Sequence, residues 1–167
     1  MNSAFKVAAI VLVLSAIHSM SVSASAATET DVSSLKTLAL TGKRDAIRAL
    51  FDIRKRADGA VGEDIDIVLG RTIRKYPLVF LEELQRANWK IRLDSLLGNT
   101  GPEFVDRFRE QAAELEARAT ALRTVQDSSL SELRNECVRE LKKQTEALNA
   151  AAQQLAPADG SAAPPRR

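Results

Sequence analysis

The chain is poor in the residues that most often carry chemistry. Among its 167 residues there is one histidine, His18, one cysteine, Cys137, and only five phenylalanines, one tyrosine and one tryptophan. It also lacks a long hydrophobic run. The longest, Val7 to Ile17, spans 11 residues and contains a serine, well short of the roughly 20 that a membrane-spanning helix needs. Lys6 precedes this run, and Ala24-Ser25-Ala26 follows a small, polar stretch. Together these features have the form of a secretory leader cut near Ala26-Ala27. An uncleaved leader holding a membrane-tethered subunit is the alternative. No cysteine follows the apolar run, so there is no thiol for a bacterial lipid anchor.

Cleavage would remove His18, leaving no histidine. Ser-His-Asp and Cys-His catalysis and every histidine-ligated zinc site are then excluded, and no cofactor or metal is expected. A single thiol cannot close an intramolecular disulfide. In an oxidising compartment Cys137 is either a shielded, small apolar residue or a bridge between two chains.

The mature chain expected after cleavage has about 141 residues, enough for one domain with a real core. Losing Lys6 leaves 23 basic and 22 acidic side chains, a balance that argues against nucleic acid as a partner. High alanine and arginine with few lysines suit a GC-rich bacterial source, which makes the periplasm the expected compartment.

The remaining patterning is helical. The expected fold is all-α: short helices form a compact bundle, followed by a C-terminal helical hairpin or long arm and a disordered tail. The domain reading is a leader over 1–26, a single helical domain over 27–156 and a tail over 157–167. The aromatics end at Phe108, so the compact part is placed at about 35–108 and the arm at about 102–155. Thr41-Gly42 closes a first apolar stripe, and Asp58-Gly59 with Gly62 marks a turn. Glu63, Asp64 and Asp66 follow, at the expected start of the next helix. Pro77 suits the first turn of a helix carrying Leu81, Leu84, Ala87 and Ile91. Two short alternating stretches, Ile65/Ile67/Leu69 and Trp89/Ile91/Leu93, could instead read as strands. Gly98 is expected in a left-handed helix-ending position, and Thr100/Glu103 and Ser129/Glu132 have capping-box spacing. Asp127-Ser128-Ser129 favours two helices over one rod. The tail, PADGSAAPPRR, has too little apolar surface to offset the entropy of ordering.

Three surfaces could carry function. Lys43, Arg44, Arg48, Arg54, Lys55 and Arg56 form a basic segment, extended by Arg71, Arg74 and Lys75, that could meet an acidic protein or another anionic envelope component. The near-zero net charge favours the other reading, in which these charges pair with Glu63, Asp64, Asp66 and the acidic run from Glu103 to Glu116. Asp58 to Leu69 fails as a calcium loop, because Ala60, Gly62 and Leu69 stand where ligands are needed.

Glu82, Glu83 and Glu103, near Trp89, are the carboxylates that could serve an envelope-polymer-binding site or a glycan hydrolase. Leu141, Leu148 and Leu155 line a thin heptad seam with Leu130, Cys137, Gln144 and Ala151. That seam could dimerise or dock on its own domain.

The general form resembles that of periplasmic helical chaperones. The LTxxQ signature of one such group is absent, Leu40-Thr41 being followed by Gly42-Lys43-Arg44, and the strongly basic charge of the jellyfish-shaped holdases is absent as well. No site is carried over. The expectation is an exported, non-enzymatic helical protein acting by protein–protein contact or self-association.

Overall fold

A computed structural model describes residues 31–88 and 92–155. The proposed leader, the tail from 157, Trp89 and Ile91 lie outside the described residues. Within them the chain is all-α, without a strand. Helix α1 covers 31–40, α2 Arg44–Arg54, α3 Gly59–Lys75, α4 Pro77–Ala87, α5 Leu93–Gly98, α6 Phe108–Arg123 and α7 Ser131–Gln154. Single 3-10 turns occupy Pro102–Phe104 and Ser128–Leu130. None of the described helices is long and apolar enough to cross a membrane.

Local chemistry explains most boundaries. Gly42 adopts φ 79°, its N–H bonds to Ala39 O at 2.9 Å and that of Lys43 to Leu38 O at 3.3 Å. This pair of bonds is a Schellman closure of α1. A Cβ on Gly42 would also meet the Tyr76 ring at 2.6 Å. Pro77 opens α4, where its missing N–H costs nothing.

Several expectations are corrected. Gly62 is not a turn residue: α3 already starts at Gly59, so Glu63 and Asp64 sit in its second turn and Asp66 is buried. Residues 65–69 belong to α3 and are not a strand, and Leu93 opens a helix. α4 ends at Ala87, with Asn88 left-handed at φ 48°. Gly98 is the last residue of α5 and is not left-handed. A Cβ there would lie 1.8 Å from Gln144 Oε1, so this glycine serves the close approach of α5 to α7. The Thr100/Glu103 box does not form: Pro102–Phe104 is a 3-10 turn without a side-chain cap, and α6 begins only at Phe108.

The hairpin reading of the C-terminal half holds. α6 and α7 form the most extensive helix pair. Asp127, not Ser129 with Glu132, organises the connection, accepting from Ser129 N at 2.8 Å and Ser129 Oγ at 2.7 Å. These bonds hold the Asp127 carboxyl below the usual carboxylate range.

A single buried cluster runs from Ala39 through Ile47, Phe51, Leu69 and Phe80 to Leu122, Cys137 and Leu141. The hairpin therefore shares its core with the short helices, α6 packing on α3 and α7 on α5. Phe51 and Phe80 meet in a tilted contact, 5.7 Å between ring centres and 50° between planes, joining α2 to α4.

Candidate functional site

The basic segment is largely consumed by the fold. Arg48 meets Glu83 through two nitrogens, Nε at 2.9 Å and Nη2 at 3.0 Å. Arg86 Nε donates to the same carboxylate at 2.8 Å, and Arg44 reaches it at 3.5 Å. The Arg48 hydrogen bond, with Arg86 assisting, holds the Glu83 carboxyl below the usual carboxylate range despite burial. Arg54 forks onto Asp66, with contacts of 2.8 and 3.0 Å, and Ser95 Oγ donates to Asp66 at 2.9 Å. These links tie α2 to α4, and α2 to α3 and α5. Lys55 meets Asp52 at 3.2 Å. Among the described residues only Lys43 and Arg56 of the six basic positions carry no ion pair, and both are exposed. The segment is mostly paired, but of the partners expected from the sequence only Asp66 is used, by Arg54; Arg44 and Arg48 turn to Glu82 and Glu83, and Lys55 to Asp52.

The three candidate carboxylates serve as ion-pair partners. Glu83 is buried and held as a carboxylate, the opposite of the raised pKa that a general acid needs. Glu82 Oε2 contacts Arg44 Nη2 at 2.5 Å, and Glu103 contacts Arg71. The groove that contains Glu103 is not lined by Glu82 or Glu83, and Trp89 lies outside the described residues.

The heptad seam divides along its length. Leu130, Cys137 and Leu141 are in the chain's own core. Gln144 donates to Asp94 O at 3.0 Å, Leu148 is half-buried against the core, and Leu155 is 68% exposed. Leu141 therefore presents no surface to a partner. Burial likewise shields Cys137 and pushes its thiol up to about 12, so a bridge to a second chain would require the helix pair to open.

One concave site is a constellation that motif reading did not assemble. Leu40 at the end of α1, Arg71, Arg74 and Lys75 on the last turns of α3, Thr100, Glu103 and Phe104 before α6, and Glu114 on α6 enclose a groove of about 520 Å³. The signal was present as the i, i+3, i+4 spacing of the three basic residues, which puts them on one helix face. Arg71 reaches Glu103, and Arg74 Nη1 reaches Glu114 Oε2 at 2.9 Å. Behind Glu114 stands Arg118, fully buried, its Nε 3.2 Å from Glu114 Oε1. Arg118 Nη1 also donates to Leu97 O at 2.7 Å and Asn99 O at 3.1 Å. Desolvation lowers the Arg118 pKa from its ordinary value. These bonds position the loop that forms the groove's far wall.

No family model, no curated protein and no solved structure matches the chain. No group of His, Cys, Asp and Glu suited to a metal ion occurs among the described residues.

Proposed function

We propose that this is an exported, non-enzymatic helical protein that acts by contact with a protein partner through the distal end of α7. The observation that carries the reading is the mismatch within the hairpin. α7 has 24 residues and α6 has 16, which at the α-helical rise is about 36 Å against about 24 Å. The N-terminal half of α7 is committed to the core, while the residue that caps its far end, Leu155, is the most exposed large apolar side chain among the described residues. An apolar side chain at a helix end, its N–H still bonded to Ala151 O at 3.1 Å, can dock in a partner's groove with a limited loss of conformational freedom.

A photo-crosslinking residue at Leu155, compared with one at the exposed Asp45 on α2, tests this in whole cells. The expected result is a discrete adduct from position 155 only, recovered with leader-processed protein outside the cytoplasm. An adduct of twice the chain's mass would identify the partner as a second copy. Equal, diffuse labelling from both positions, or a chain that stays unprocessed in the cytoplasm, would overturn the proposal.

A further inference from the structure

The groove between α1, α3 and α6 carries an inference independent of α7. Its cations are not used up as those of Arg48 and Arg54 are. Arg54 and Arg48 each grip a carboxylate with two nitrogens, whereas Arg71 and Arg74 each meet theirs through one. Each guanidinium has five N–H donors, so both keep several to spare. Their side chains are 40% and 55% exposed, and Glu114 is only 12% exposed. Lys75, exposed at the same rim, has no ion pair among the described residues.

Charge is unbalanced in the same direction. Arg71, Arg74 and Lys75 face Glu103 and Glu114, with Arg118 behind. The carboxyl end of α3 contributes roughly half a negative charge, and the balance stays positive. Arg118 adds to the field: its one ion pair among the described residues is the Glu114 it shares with Arg74, and its Nη2 is buried without a hydrogen-bond partner among them. Leu40 and Phe104 supply an apolar wall beside the cations, Leu40 being 38% exposed.

We propose that this groove seats an acidic segment of a partner protein, with a carboxylate on Lys75 and the spare N–H groups of Arg71 and Arg74. A neighbouring aliphatic side chain of that segment would rest against Leu40 and Phe104. A singly charged carboxylate suits the modest positive surplus. A phosphate dianion would crowd Glu103 and Glu114 and leave the apolar wall uncovered. Arg71 and Arg74 already donate to carboxylates within the chain, so the geometry admits this group.

The test is an amide-shift titration of the full ¹⁵N-labelled chain with the peptide GELELG, its neutral counterpart GQLQLG, and inorganic phosphate. The expected result is that GELELG moves the signals of Leu40, Lys75, Thr100 and Phe104, that GQLQLG binds at least ten-fold more weakly, and that raising the salt weakens the acidic peptide. Lys75→Glu, at an exposed position, should weaken GELELG at least five-fold, while Lys43→Glu at an exposed lysine elsewhere changes it less than two-fold. Circular dichroism of both variants confirms folding. Equal binding of the two peptides, equal weakening by both substitutions, or no shift at the groove overturns the proposal. Phosphate moving the same signals more tightly than GELELG overturns it in favour of a small-anion site. Neither outcome bears on crosslinking from Leu155, so each proposal can fail alone.

Discussion

Replacing Gly70 with alanine sets two effects of opposite sign against each other. Gly70 lies inside α3, where alanine is intrinsically favoured by about 1 kcal/mol. A Cβ at this position would stand 2.4 Å from Nη1 and 2.9 Å from Cζ of Arg118. A flexible side chain could swing away, but Arg118 is fully buried and its Nη1 is held by the Leu97 and Asn99 carbonyls at 2.7 and 3.1 Å. Displacing it forfeits hydrogen bonds from a charged donor, about 1.5–3 kcal/mol each. Set against the propensity gain, Gly70→Ala should destabilise by about 2–5 kcal/mol. With a urea slope of about 2 kcal/mol/M, the middle of the usual range, the unfolding midpoint should fall by about 1–2.5 M. The decisive arm is the same substitution in an Arg118→Met background, which keeps the aliphatic stem and removes the guanidinium. There Gly70→Ala should turn neutral or stabilising by up to about 1 kcal/mol. Urea melts followed by circular dichroism give the four stabilities. If Gly70→Ala is as stable as the parent, or costs the same in both backgrounds, Arg118 is not the reason for the glycine.

Glu83→Ala should cost about 2–3 kcal/mol, below the cost of breaking a fully buried pair because water can reach the stranded arginines, and urea midpoints at pH 7 will measure it. The Glu83 carboxyl titrates lower in the folded chain than in the unfolded one. Its contribution is therefore complete above the unfolded glutamate value near ~4.3 and fades as the pH falls through the depressed folded value; midpoints at pH 7, 5 and 3 should flatten in Glu83→Gln. Cys137, buried and with its thiol pushed up to about 12, should resist a thiol reagent at pH 8 in the native state. It should react fully in urea and give no dimer on a non-reducing gel. Leu141→Ala should cost about 2–5 kcal/mol, whereas Leu155→Ala should stay within about 0.5 kcal/mol, a contrast the same melts resolve.

Much of the helical frame was legible because its signals are local. Gly42 supplies the positive φ that closes α1, Pro77 opens α4, and Asp127 caps the turn between α6 and α7. Errors arose where one residue type serves two ends. Gly62 and Gly98 read as a turn and a left-handed helix end, yet each sits in a helix against another residue's side chain, Arg54 and Gln144 in turn, as Gly70 does against Arg118. Thr100 and Glu103 have the spacing of a capping box, but Glu103 finds Arg71, 32 positions away, and the box never forms. The groove was half-visible, since Arg71, Arg74 and Lys75 share a helix face, while its other wall comes from residues 100–104 and 114.

The periodicity of apolar residues and the placement of glycine and proline were enough, by themselves, to determine an all-α chain with its principal breaks. Helix formation and termination depend on neighbours within a turn or two. Which charges enter the core was decided only by tertiary packing. Asp66, Glu83 and Arg118 are ordinary helix-surface residues by sequence, and all three are buried. A charge can leave water only where other elements bring donors or acceptors to it. Arg48 meets Glu83 across 35 positions, and Arg118 finds the Leu97 carbonyl across 21. No local pattern encodes those meetings, because the partners become neighbours only when the helices pack.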